Sequence, residues 1–141
     1  MANDAGDFVR SMSIATSGLR AQAGRMRVIS ENIANAESTA STAGGEPYRR
    51  KVPTFSSELD RTLDAKVVTL GKVRPDQSAF RVKHEPGNPA ADAAGNVKYP
   101  NVNPLVEMTD MREAQRSYEA NLNIISATRR MIQRTLDILT A

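Results

Sequence analysis

The chain has 141 residues, the length of about one ordinary domain, yet only 4% are aromatic and tryptophan is absent. Its formal net charge of +3 resides wholly in residues 41–100, without the dense basic stripe of a nucleic-acid surface. Cysteine is absent, which excludes disulfides, thiol chemistry and cysteine-ligated zinc.

In chain order, the N-terminal stretch MANDAGDFVRSMSIATSG carries two aspartates in its first seven residues and no apolar run of the signal-peptide type. No segment reaches membrane length, so the expectation is no direct membrane insertion and, for work beyond the cytoplasm, exit without a cleaved leader. From Met12 onward, apolar positions recur at spacings of three and four: Ala15, Leu19, Gln22, Met26, Ile29, Ile33 and Ala36. This a/d heptad, with Gln22 its one polar member, predicts a helix from about Asp7 to Glu37, roughly 45 Å long.

Asn32 and Asn35 stand beside that seam. Asparagine competes for backbone hydrogen bonds and is a poor helix-interior residue. Two of them, three apart, are expected where the helix is finally stabilised inside an assembly and its carboxamides serve a neighbouring chain. A helix end fraying into the next segment accounts for them equally.

That segment, STASTAGGEP (Ser38–Pro47), is a small polar link. YRRK (Tyr48–Lys51) is the densest basic cluster, read as a solvated turn or partner-facing patch. Residues 56–66 are read as one or two helical turns. Val67–Val73 is rich in β-branched residues. Phe80, Val82 and His84 alternate with Arg81, Lys83 and Glu85, the period of a half-buried strand. A Pro-, Gly- and Asn-rich loop, Glu85–Asn96, then leads to a short VKYP run.

A second stripe closes the chain: Met108, Met111, Gln115, Tyr118, Leu122, Ile125, Arg129, Ile132, Leu136 and Leu139. Pro104 suits the first helical turn and Asn103 the cap before it. The flanks of both helices are small: Ala21, Ala23, Gly24, Ala34 and Ala36 on the first, Ala114, Ala120 and Ala127 on the last. The predicted fold is mainly α with a small β module. Residues 1–37 and 103–141 are long terminal helices paired as an antiparallel coiled coil, and residues 38–102 are a link and central β-rich insertion.

Catalytic constellations are not found. His84, the only histidine, sits in a strand pattern with no nucleophile turn. DAAGN (Asp92–Asn96) lacks the alternating ligands of a calcium loop, and AGGEP lacks the lysine of a phosphate loop. No enzyme activity, metal or cofactor is expected.

ENIANAEST followed by a polar link, together with SYEANLNIISATRRMIQRTLDIL at the other end, resembles the bacterial flagellar axial family of rod and hook proteins. The family's N-terminal signature matches Asn32, Ile33, Ala34, Asn35 and Thr39; its C-terminal signature matches Tyr118, Glu119, Ala120 and Asn121. GGEPYRRKVPTF, DQSAFRVKHEPGNPAADAAGNVKYPNVN and VEMTDMREAQRSYEAN are similar to the short proximal-rod members, with departures at Ala79 and Asn96. The resemblance implies a structural subunit without catalysis, stacked with its own copies and neighbouring rod proteins into the drive shaft crossing the periplasm. It also implies passage, unfolded, through the flagellar type III export apparatus. The assembly residues it points to are Met12, Leu19, Met26, Ile29, Asn32, Ile33, Asn35, Tyr118, Asn121, Leu122, Ile125, Ile132, Leu136 and Leu139. A soluble coiled-coil adaptor and a small nucleic-acid-associated protein are the alternatives.

Overall fold

A computed structural model describes residues 2–140, with side chains from Gly6 onward. Helix α1 spans Ala2–Ala34 and helix α2 spans Pro104–Thr140. Between them lie β1 (Lys51–Val52), β2 (Phe55–Asp60), β3 (Ala65–Leu70), β4 (Arg74–Pro75), β5 (Arg81–His84) and β6 (Asn96–Tyr99). The strands form three separate antiparallel ribbons, β1–β4, β2–β3 and β5–β6. The chain is therefore mainly helical with small antiparallel sheets in its middle. It divides into two compact units: residues 1–25, 55–72 and 113–141, and residues 26–54 with 73–112.

In the first unit, β2 and β3 make a hairpin from Phe55 opposite Leu70 to Asp60 opposite Ala65. Helical turns were expected over residues 56–66, and the structure replaces them with this hairpin. The Asp60 carboxylate accepts the N–H groups of Thr62 (2.9 Å) and Leu63 (3.3 Å), and Asp64 takes a left-handed φ of 46° to reverse the chain. Pairing with the β-branched run Val67–Thr69 then outweighs the local helical preference of SSELD. The hairpin lies on α1. Val68 N–H donates to Ser17 Oγ at 3.1 Å, and a methyl added to Gly24 would come 2.6 Å from Leu70 Cδ2.

Burial along α1 follows the expected stripe: Ala15 is buried and Met12, Leu19 and Gln22 are partly buried. Along α2 only one of the two expected rows is covered. Tyr118, Ile125 and Ile132 are partly buried, but the row completing the seam is Ala114, Asn121 and Thr128. Leu122, Leu136 and Leu139 are exposed, as are Gln115 and Arg129. Close helix approach explains the substitution: a methyl on Gly18 would come 2.9 Å from the Asn121 carboxamide, leaving room only for short side chains. Large leucines point elsewhere.

In the second unit, Ala90, Val97 and Tyr99 form a small core with Ala40 and Ala91 against it. The strand expected at Phe80–Glu85 forms as β5, but it is not half-buried, since all four of its residues are exposed. Its register places Arg81 opposite Tyr99 and Lys83 opposite Val97, so the charged residues share the face of the buried ones. Their stems cover the tyrosine: Lys83 Nζ lies 4.5 Å from the ring centroid and Arg81 Cζ 6.0 Å. Val82 is left in solvent. The cap of α2 forms as expected, with Asn103 Oδ1 accepting Leu105 N–H at 3.1 Å.

Candidate functional site

Near the end of α1, two residues before its last, Asn32 is 1% exposed. Its carboxamide Nδ2 donates to Lys51 O (2.8 Å) and Glu107 Oε2 (3.0 Å). Its Oδ1 accepts Tyr48 O–H (2.8 Å) and Lys51 N–H (2.9 Å). Two donors and two acceptor lone pairs are all used. Toward Lys51 the side chain behaves as a strand backbone would, engaging both its N–H and its C=O. No aspartate, glutamine or lysine offers that pattern at that reach.

This overturns the expectation that Asn32 serves a neighbouring chain, because every bond it can make goes to its own. Asn35 also turns inward: its Nδ2 donates to Glu31 O at 2.8 Å, four residues back. The two asparagines of α1 and its end are thus a clamp and a helix-end bond.

Glu107, on the first turn of α2 and fully buried, is the second member. Arg50 Nε donates to its Oε1 at 2.6 Å, and the guanidinium also approaches Asp76 Oδ2 (3.5 Å) and Asp110 Oδ2 (3.8 Å). Arg50 N–H donates to Asn101 Oδ1 at 2.8 Å, and Asn101 Nδ2 reaches Asp76 O and Ser78. Lys51 pairs with Glu31, and Arg49 stacks 4.1 Å over the Phe80 ring. The YRRK cluster is thus neither a solvated turn nor a bare partner patch. Three of its four side chains are held by this unit's own acids and amides, and the fourth by a ring.

Electrostatics follow the geometry. Burial pushes the Tyr48 phenol up to about 12, with the Glu31 and Glu107 carboxylates adding to the effect. For Arg50, burial alone would lower the value, but the hydrogen bond and charge of Glu107 and Asp76 more than offset it and hold it above its ordinary range. Backbone and side-chain bonds from Ser78, then Arg50, hold Asp76 below the usual carboxylate range.

A pH prediction follows from Tyr48. A phenol whose folded pKa is raised favours the protonated chain, so its contribution is complete below the unfolded value near 10 and declines as pH rises toward about 12. A phenolate cannot donate to Asn32 Oδ1. Melting temperatures measured from pH 8 to about 12 should fall steeply over the last two units, and Tyr48→Phe should flatten that fall while lowering stability at neutral pH. An equally steep fall in the variant contradicts the assignment.

Of the residues expected from sequence, Ile29 and Asn32 are buried, while Met12, Leu19, Met26, Ile33, Asn35, Tyr118, Asn121, Ile125 and Ile132 are partly so. Leu122, Leu136 and Leu139 face outward. Sequence reasoning missed Tyr48, Arg50, Asp76, Asn101 and Glu107. One signal was present: Glu107 stands seven residues before Ala114, on the covered row of α2, where an acid needs a buried cation.

The family description "Flagella basal body rod protein" matches residues 12–40, and "Flagellar basal body rod FlgEFG protein C-terminal" matches residues 93–138. These hold Asn32 and Glu107 respectively. The flagellar basal-body rod protein FlgC of Agrobacterium fabrum is 54% identical over 91% of this chain and 92% of its own length. The proteins of the same name from Bacillus subtilis and Salmonella typhimurium are each 38% identical, covering 91% and 89% of this chain and 95% and 92% of theirs. With two helical ends matched and similarity sustained along nearly the whole of each relative, the chain belongs to the FlgC family of flagellar basal-body rod proteins.

Proposed function

We propose that the chain is a structural subunit of the bacterial flagellar basal-body rod, working with its own copies and neighbouring rod proteins as part of the drive shaft that carries motor torque. The observation that carries this reading is α2's surface. Nine of its large apolar side chains stand at least 42% exposed, on both sides of the covered row. So many large apolar side chains left exposed on one helix mark a surface suited to packing against further helices. Relatives at 54% and 38% identity are named as rod proteins, which supports the same role.

The finer reading has residues 1–37 and 103–141 as an inner layer, with α1 and α2 paired antiparallel as a coiled coil. Residues 38–102 form a small outer region. Gly18 against Asn121, and Arg25 paired with Glu113 at 3.6 Å, run in opposite chain directions and support the pairing. The subunit is not an enzyme on this reading. It leaves through the flagellar type III export apparatus and works in the periplasmic part of the basal body. No helix among the described residues is long and apolar enough to cross a membrane. Against nucleic-acid binding stands the capture of Arg50 and Lys51 by Glu107, Asp76 and Glu31.

Two substitutions test the role. Leu122 is exposed, so Leu122→Asp should leave the helix content of the purified chain unchanged and abolish its recovery in isolated rods, with motility lost. Ile125 is partly buried, so Ile125→Asp should reduce both. Circular dichroism and immunoblots of secreted and rod fractions read the two effects separately. Normal rods built from Leu122→Asp chains count against the reading.

A further inference from the structure

The second unit holds an open cleft of about 730 Å³ between the last turns of α1 and the β1–β4 ribbon, a size common for binding clefts. Val28, Val73 and Pro75 give it an apolar lining, and Val73 is 40% exposed. Its charges do not balance. Lys51 is taken by Glu31, the acid of the cleft, which leaves Arg27 and Arg49. Arg27 is exposed and makes no hydrogen bond or ion pair with the described residues. Arg49 is fixed in place by the Phe80 ring at 4.1 Å and by the carbonyls of Asp76 (3.1 Å) and Ser78 (3.2 Å), none of which cancels its charge. Two uncompensated guanidiniums beside an apolar lining suit a carboxylate carried on an aliphatic stem.

One strand of this chain carries that chemistry. Among the described residues, strands β1, β3, β4, β5 and β6 carry lysine or arginine and no acid. Strand β2, FSSELD, carries Glu58 and Asp60 and no base. Asp60 is occupied by the turn at Thr62 and Leu63. Glu58 is exposed and makes no hydrogen bond or ion pair with the described residues. Because β2 pairs with β3 alone, its other edge is open to an approaching molecule.

We propose that Glu58, on the β2 edge of one copy, enters the Arg27–Arg49 cleft of a second copy. This rests on the rod reading and names one contact within it, a contact of charge that is separate from packing of the apolar α2 surface. Cleft and strand are different patches, so the contact is head-to-tail: it propagates from copy to copy instead of pairing off about a two-fold axis.

Both residues are exposed, so charge can be reversed at either without disturbing the core. Arg27→Glu and Glu58→Arg, each alone, set like charges together and should lower recovery of the chain in isolated rods by about tenfold or more. Combined in one chain they should restore recovery to near the parent's level, with circular dichroism unchanged throughout. Single variants that assemble like the parent, or a double variant no better than the singles, overturn the pairing and leave the rod role standing. Absence of the parent chain from rods overturns the rod role itself. The conservative Arg27→Lys chain supplies a second measurement. In isolated basal bodies a water-soluble carbodiimide, which joins an amine to a carboxylate in contact with it, should link residue 27 to Glu58 in a covalent dimer. Mass spectrometry of the dimer maps the link. No such link, or a link from residue 27 to a different rod protein instead, overturns the proposal.

Discussion

Asn32→Ala should destabilise the chain by about 3 kcal/mol or more, the largest single effect expected among the helical positions. Truncation strands four groups at once: Lys51 N–H and C=O, Tyr48 O–H and one oxygen of Glu107. A buried polar group left unpaired costs about 1–3 kcal/mol, and the small cavity adds to it. Asn32→Asp should be nearly as damaging, since it removes both donors and sets a second carboxylate beside Glu107 at 3.0 Å. Urea unfolding followed by tyrosine fluorescence and circular dichroism measures the loss. A change below about 1 kcal/mol would show that water replaces the carboxamide without penalty and that the clamp is not structural.

Arg50→Met comes second and is expected to destabilise by about 3–5 kcal/mol. The fully buried Glu107 would lose its 2.6 Å partner and keep its charge, while Asp76 and Asp110 would remain close by. The double variant Arg50→Met with Glu107→Leu should recover much of that loss, because an ion pair removed as a pair leaves no orphaned charge. A double-mutant cycle on the same unfolding assay reads the coupling directly. Additive losses would mean that the two side chains act separately.

Much of the architecture was legible from periodicity. Both long helices, the cap at Asn103, and short strands near Val67 and Tyr99 follow from spacing and from Asn, Pro and β-branched chemistry. The errors share one cause, which is that sequence spacing reports local preference while contacts decide the face. The α2 seam was read through Met108 and Leu122 because they are apolar, yet Glu107, Ala114, Asn121 and Thr128 are the covered ones. A close helix approach at Gly18 favours short residues, and a buried acid is tolerated only because Arg50 and Asn32 arrive from elsewhere in the chain. The β5 register shows the same thing, since nothing in RVKH announces that its lysine will lie over Tyr99.

The clamp itself was half legible. Two asparagines in a helix signalled an unusual demand, but the sequence did not say that the partner was the backbone of Lys51. Side chains that bond to main chain leave no complementary residue to search for. Tyr48, Arg50 and Asn101 therefore passed as link and loop, although together they fix the position of the segment after the link.

The bond between Asn32 and Glu107 joins positions 75 residues apart. A polypeptide threaded lengthwise through a narrow conduit, whichever end leads, delivers these two side chains at widely separated moments. Under that mode of transit the bond cannot close inside the conduit, and it forms only after every residue from Asn32 to Glu107 has emerged.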